Sequence, residues 1–360
     1  NLAFSKKIAV VSQDHVGIKE KLKNQNRGVG VSFFPAWALS NSSSNILVRA
    51  LDSIFFMFWV IICLIIARPK NIYISTDPPV LIPFITVLYS KLFNARLVYH
   101  IQDIHPEATS MIIKLNSLIF YLLKKIDVLT MKNVDLLITL TNEMKTEILY
   151  RSNTKKKILL MDNPSISFRD TLSSKQKIKG FSFTGNLGRL QKIPLLIEAI
   201  ENYSERGGKL KFFFAGGGVY SDIIFKKSKT NPLINYQGIL SSEEAALLSS
   251  KYEWALLPIE DKVTKFAFPS KTSSYVFSGA KIFAICGTHT SVANWVEYNN
   301  LGFVISPKIE SIVDFFFKIE KEDVDCTKID LSRKELKKSL HIEKFIKNLE
   351  LAIFSNLNNE

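Results

Sequence analysis

The chain has 360 residues, 47% of them hydrophobic and 22% charged, with a formal net charge of +14. That composition excludes a disordered, collagen-like or disulfide-stapled chain, and at about 150 residues per domain it predicts two domains, each with its own core. Three distant cysteines (Cys63, Cys286, Cys326), with no CxxC and no paired histidines, exclude a zinc module and suit a reducing compartment.

Taken in chain order, Asn1–Lys7 reads as the tail of a helix feeding a strand, with no cleavable signal peptide. An earlier strand and most of a helix are therefore expected to be missing. Short apolar, β-branched or aromatic runs follow at Ile8–Val11, Val29–Phe34, Ile72–Ser75, Leu97–Ile101, Leu136–Leu140 and Ile158–Met161. A second series runs Phe181–Thr184, Leu210–Ala215, Ile234–Gln237, Trp254–Leu257, Ile282–Ile285 and Phe303–Ile305. Helix-length segments separate the runs, which predicts parallel βαβ sheets covered on both faces. Six runs per half make two doubly wound Rossmann-like domains, with the break at Asn163–Lys179, where Pro164, serines and lysines interrupt the pattern. The expected division is 1–165, 166–335 and a tail, 336–360, crossing back toward the first domain. Lys334–Phe354 reads as one amphipathic helix carrying Leu336, Leu340, Phe345, Leu349 and Ile353.

The run Ile54–Ala67 is apolar throughout and bounded by Asp52 and Arg68. It is short of the roughly 20 residues a spanning helix needs, which leaves two readings: a buried helix, or one dipped into a bilayer surface. Residues 1–162 carry 20 Lys/Arg against 11 Asp/Glu, so the basic excess leans to the first half. Nucleic acid is not the expected partner, because no binding motif or interleaved aromatic–basic pattern is present. An anionic membrane surface fits the charge and the apolar run together; a plain solubility charge is the alternative.

Ligands of doubly wound domains bind at the carboxyl ends of the strands, so the loops after the runs hold the chemistry. The strongest signal is FSFTGNLGRLQKIPLLIEAI, residues 181–200: a strand, a glycine loop at Gly185 and Gly188, then a helix starting near Pro194. Small residues let amides approach a phosphate, and Arg189 and Lys192 are spaced to add two cations. A plain βα turn with solvated cations is the competing reading.

With this loop, the ordered series STDPP (75–79), YHIQDIHPEA (99–108), TLTNEMK (139–145), FFAGGG (213–218), YQGILSSEE (236–244) and FPSKTSSYVFSGAKIFAICG (268–287) resembles the GT-B glycosyltransferases of family 4. The resemblance is to bacterial enzymes that build O-antigen, capsule and colanic-acid-type polysaccharides, and it covers nearly the whole chain. It implies two Rossmann-like domains facing a cleft, with a nucleotide-diphosphate sugar on the second and an acceptor on the first. It also implies retention of configuration and no metal or other cofactor. The basic, apolar first half is the reason to expect the acceptor to be a lipid-linked saccharide and the chain to sit peripherally on the inner face of the cytoplasmic membrane. Gly185, Asn186, Gly188, Arg189 and Lys192 would hold the donor diphosphate, with Ser270 and Lys271 adding to that site. Gly238 and Ile239 would lie near the base. Thr76, Asp77, His100, His105 and Glu107 would line the acceptor region.

The chain departs from the family pattern where two glutamates eight residues apart are usual; Phe266 and Ser274 stand there, leaving Ser274 one hydrogen bond to the donor ribose. Gln102 and His105 stand where Arg and Trp are usual. Asp103 is the candidate to position or deprotonate the acceptor hydroxyl, against the reading of an N-cap to a helix near Pro106. His100 points to the acceptor face only if its strand has already ended; as a strand residue it alternates away and reads as a satisfied buried histidine. Asp323-Val-Asp325 has metal-binding spacing but reads as a solvated acidic run, and Gly216–Gly218 reads as a tight turn. Two further classes stay open: a non-catalytic nucleotide-sugar-binding subunit and a sugar-nucleotide epimerase.

Overall fold

The structure is a computed structural model, and it describes residues 7–14, 17–24, 28–38, 40, 46–165 and 177–354. Most of the Asn1–Lys7 helix tail and the centre of the 163–179 linker lie outside these residues. The first half runs β1 (Ile8–Asp14), α1 (Ile18–Asn24), β2 (Val31–Trp37), α2 (Ile46–Ala67), β3 (Asn71–Ser75), α3 (Leu81–Phe93), β4 (Arg96–Ile101), α4 (Glu107–Ser110), α5 (Ser117–Asn133), β5 (Leu136–Thr139), α6 (Asn142–Ser152) and β6 (Ile158–Leu160). The second runs β7 (Ile178–Thr184), α7 (Ile193–Glu205), β8 (Lys211–Ala215), α8 (Ser221–Thr230), β9 (Ile234–Tyr236), α9 (Ser242–Lys251), β10 (Tyr252–Pro258), α10 (Lys271–Ser278), β11 (Lys281–Ile285), α11 (Ser291–Tyr298), β12 (Gly302–Ile305), α12 (Ile309–Glu320), α13 (Ile329–Leu340) and α14 (Ile342–Phe354).

Each of the twelve apolar runs contains a strand, and all strand pairs are parallel. The second domain is one six-stranded sheet in the order β12-β11-β10-β7-β8-β9. The chain reverses direction across the sheet between β7 and β10, and a crevice opens at that switch point. In the first half the expectation of one six-stranded sheet is corrected. β3-β4-β5-β6 form a four-stranded sheet, and β1 pairs with β2 alone.

Burial on both faces explains the sequence of these strands. Phe181, Phe183, Phe212, Phe214 and Phe283 are fully buried, and Phe316 of α12 packs edge-on to Phe181 and Phe212. Local chemistry sets the helix ends. Ser241 and Glu244 form a reciprocal capping box on α9, and Thr141 and Thr290 cap α6 and α11. Gly279 ends α10 in the left-handed region (φ 72°), where a side chain would strain the backbone.

The tail is two helices rather than the single one expected. His341 is extended between α13 and α14, its ring packs on Phe277, and its backbone bridges to Ser165. α14 then crosses to the first domain. Ala352 and Ile353 join Val98, Leu136 and Ile138 in one buried cluster, and the Arg96 guanidinium donates to the Ala352 carbonyl at 3.0 Å.

Helix α2 answers the question left by the apolar run. Phe56, Val60, Cys63 and Leu64 are buried against the first domain, whereas Phe58, Ile65 and Ile66 on the opposite side are exposed. Among the described residues, no helix is long and apolar enough to cross a membrane.

Candidate functional site: the cleft between the domains

The site is assembled from loops at the carboxyl ends of parallel strands in both domains. After β7, β8 and β9 three loops are zipped together through main chain. The Gly185 amide donates to Ala215 (3.0 Å), Leu187 to Gly217 (2.8 Å) and Gly216 to Gly238 (2.8 Å). A Cβ built on Gly216 would lie 1.8 Å from the Gly185 carbonyl oxygen, and one on Gly218 2.5 Å from that of Leu187. Glycine at these positions is required by the contact of one backbone with another. The Gly216–Gly218 turn thus supports the glycine loop. The Gly185 and Leu187 amides are committed to that packing.

The two cations of the loop have partners already. Lys192, itself in the left-handed region (φ 42°), donates to Glu260 Oε2 at 2.9 Å and lies 3.6 Å from Asp261 Oδ1. Arg189 reaches across the cleft to the Ile112 carbonyl of the first domain at 3.2 Å. Asp261 also accepts from the Gly287 amide at 3.1 Å. Glu260 and Asp261 carry no motif of their own. Their position just after Pro258, the last residue of β10 at the switch point, was the signal that could have placed them in the site.

Lys271 opens α10 directly under this loop. Its stem reaches the surface in part, but its amino group is out of solvent, has no hydrogen-bond partner and lies 3.7 Å from the centre of the Phe183 ring. Burial pulls the amine down to about 7. Four residues on, the Tyr275 hydroxyl donates to the Leu256 carbonyl (3.1 Å). Ser270 is the N-cap of α10 without a side-chain cap bond, and Ser274 is half-buried in that helix. Ile239 is 81% exposed beside the Gly217 backbone, leaving an open apolar face next to the glycine turns.

On the first-domain side, Thr76 and Asp77 follow β3 and Asp103 follows β4. The Asp103 amide donates to Thr76 Oγ1 at 3.3 Å, and its backbone bridges to Ala267 of the second domain. The Ile104 amide donates to the Phe266 carbonyl at 2.7 Å, so Phe266 joins the domains at one of the two positions where the family has glutamate. Asp103 caps no helix: the N-cap of α4 is Pro106, and it makes no side-chain bond. Burial first, and then the Asp77 carboxylate, push Asp103 up to about 6. A half-buried carboxylate with that value can take a proton at neutral pH.

On the acceptor side Glu107 departs from its expected place on the cleft, and His100 takes the buried one of its two readings. Glu107 is buried and paired with Arg151 (2.7 Å) and Lys124 (3.1 Å), so it anchors its loop from within. Arg151 also holds Asp127 (2.5 Å) and donates to the His105 carbonyl (2.7 Å). His100 is fully buried on β4, bonded through Nδ1 to the Tyr73 hydroxyl (2.6 Å) and set beside Phe345 of α14. Burial holds it down at about 4, so it stays neutral inside the first domain. His105 is half-buried, shares a hydrogen bond with Thr109 (2.8 Å) and is held down at about 4 by burial and Arg151.

A cavity of 590 Å³ between α6 and the segment after β10 is lined by Glu143, Glu147, Asp261, Lys265, Phe266 and His289 among others. None of the glycine-loop residues and not Asp103 line it, so the chemistry is assigned to the strand ends and not to this groove. Asp325 is exposed and accepts from Thr327, in keeping with a solvated run, and no His/Cys/Asp/Glu group among the described residues could hold a metal ion.

The fold is the GT-B arrangement of glycosyltransferases, two Rossmann-like parallel-sheet domains meeting across a cleft. It is shared with HepE from Anabaena solved with UDP, at a TM-score of 0.64 and 11% identity over 96% of this chain and 91% of that one. It is also shared with sucrose-phosphate synthase from Thermosynechococcus elongatus, at 0.66 and 10% over 97% and 98%. In sequence the chain is similar to the probable glycosyltransferase WbjE of Pseudomonas aeruginosa, 21% identical over 328 residues, 85% of this chain and 81% of WbjE. No protein-family model matches the sequence.

Proposed function

We propose that the chain is a retaining glycosyltransferase of family 4 type, moving a sugar from a nucleotide-diphosphate sugar to a lipid-linked saccharide. Its place would be the building of cell-surface polysaccharide, O-antigen or capsule, at the inner face of the cytoplasmic membrane. The observation that carries the reading is a pair of contacts across the cleft: Arg189 of the glycine loop bonds the first domain at Ile112, and Asp103, a half-buried carboxylate, bridges through its backbone to Ala267 of the second. The likeness to WbjE, and to HepE with its solved UDP and UDP-glucose complexes, supports the donor class.

In this reading the departing diphosphate is met by positive charge from Arg189, Lys192 and Lys271, at the start of α10. Gly238 and Ile239 take the base, and Ser274 gives the ribose one hydrogen bond. Asp103 positions the acceptor hydroxyl and takes its proton, with Thr76 and Asp77 beside it. No metal is part of the reading. The test is product formation from a panel of nucleotide sugars and lipid-linked saccharides, followed by mass spectrometry. The anomeric configuration of the product is then read by NMR. A new lipid-linked glycoside with the donor's configuration is the expected result. Nucleotide-sugar binding without turnover on any acceptor would make the chain a non-catalytic subunit instead.

A further inference from the structure

Helix α3 packs between α2 and α5, so the three form one layer on the first domain. All three helices expose large apolar side chains. On α2, Leu51, Phe55, Phe58, Ile62, Ile65 and Ile66 recur at helical spacing along one face, and all are exposed. Leu88, Leu92 and Phe93 continue the surface on α3, and Leu118, Ile119 and Leu122 on α5. Scattered exposed apolar residues are ordinary; six recurring along one face of a single helix, with more on the two helices packed in series beside it, mark an interaction surface.

The charges on the layer identify its occupant. The exposed charged residues of the three helices are all basic: Arg49, Lys91, Lys125 and Lys132. Each described acidic residue in them is turned inward. Asp52 of α2 is buried and accepts from the Ser40 amide (3.1 Å) and hydroxyl (2.5 Å), and Asp127 of α5 is held by Arg151 and Tyr99. An apolar face rimmed only by cations complements an anionic lipid surface. A two-fold contact between copies would set the same cations against one another.

We infer that the α2–α3–α5 layer is a monotopic membrane-docking face. α2 lies in the plane of an anionic leaflet, its outer side sunk among acyl chains and its inner side holding the domain core. The inference rests on the reading of a lipid-carried acceptor and names the surface that brings the cleft to it. The stripe from Leu51 to Ile66 runs about 22 Å along the helix, short of the roughly 30 Å hydrocarbon core, and Phe56, Val60 and Cys63 are already spent on the protein. The face therefore lies on the bilayer rather than through it. Because apolar contact carries the binding, salt should weaken it without releasing the protein, which replaces the purely electrostatic attachment suggested by charge alone.

The test is co-sedimentation of the full chain with vesicles of phosphatidylcholine alone or mixed with phosphatidylglycerol. It is run at low salt and at about 1 M, where the Debye length is about 3 Å. Binding to the mixed vesicles should persist at high salt and exceed binding to phosphatidylcholine. Replacing two exposed residues, Phe58→Glu with Ile62→Glu, should cut vesicle affinity roughly 100-fold, about ten-fold for each. The melting temperature and turnover on a water-soluble acceptor should stay unchanged, since neither side chain is in the core or the cleft. Complete release at high salt, unchanged affinity in the double variant, or a vesicle-free dimer that the variant splits would overturn the inference. Turnover on the soluble acceptor reports separately on the transferase reading: its absence in the wild type, with vesicle binding intact, would sink that reading and leave the docking face standing.

Discussion

The two domains follow one plan and differ in what their surfaces are built to meet. The second packs an aromatic centre, Phe181, Phe183, Phe212, Phe214 and Phe283, fully out of water. The first keeps a mainly aliphatic centre and turns apolar side chains of α2, α3 and α5 outward. The cleft repeats the contrast. Its second-domain wall is main chain packed on main chain, where a Cβ at Gly216 has no room. Its first-domain wall is a loop propped from beneath by the buried Arg151, Glu107 and Asp127. The first kind of wall fails when a side chain is added, and the second when a charge is removed.

The sharpest break in the comparison is Asp103→Asn. Turnover should fall by roughly 10²–10⁴, with nucleotide affinity little changed. Stability should hold, because Asp103 caps no helix. The acid limb of the pH–activity profile should lie near 6. Full turnover in a folded variant would remove Asp103 from the chemistry. Next in size is Arg151→Ala, which leaves Glu107 and Asp127 as buried carboxylates without their partner. It should cost about 3–5 kcal/mol in denaturant unfolding, and a loss under about 1 kcal/mol would show that the acceptor loop does not depend on the cluster.

Lys192→Ala probes the other wall. As a charged partner of the donor phosphates it should be worth about 1.5–3 kcal/mol of nucleotide affinity by calorimetry. Its present partners are Glu260 and Asp261, so Glu260→Gln should strengthen binding by freeing the cation. Unchanged affinity in both variants would make Lys192 a strut for the segment after β10.

The contrast between the walls also sets what the sequence could reveal. Central strands such as β4, β5 and β10 were legible because burial on both faces leaves continuous apolar runs, and the glycine loop because tight turns need Gly at fixed offsets. The split of the first sheet was not, since pairing between distant strands leaves no local trace. The break at His341 was missed because apolar spacing runs through it unchanged. Strand alternation points His100 inward, whereas Glu107 reads as a cleft residue from its neighbours in sequence. His100 is buried within the first domain, and a partner 44 residues away, Arg151, draws Glu107 inward. The resemblance singles out Lys271, but its buried amine without a hydrogen-bond partner depends on Phe183, far from it in the chain.

That amine gives the most specific effect. Lys271 titrates at about 7 in the fold against 10.5 as a free side chain, and burial is the cause. Between those values the unfolded chain holds a proton that the folded chain has lost, so stability rises with pH across that window. Below it both states are protonated, and the cost of a buried cation is felt in full. The slope is at most about 1.4 kcal/mol per pH unit. Lys271→Met should abolish the rise and stabilise the nucleotide-free protein at pH 7, since a methionine fits beside Phe183 without a charge to desolvate. Tyr73 and Cys286, pushed up to about 12 and about 11, titrate above most of this range, and subtracting the variant's unfolding curve isolates the lysine. A saturating nucleotide diphosphate should flatten the wild-type slope by restoring the proton to the amine. If the two curves run parallel from pH 7 to about 9, the amine is reached by water or a partner in solution and is not held neutral in the cleft.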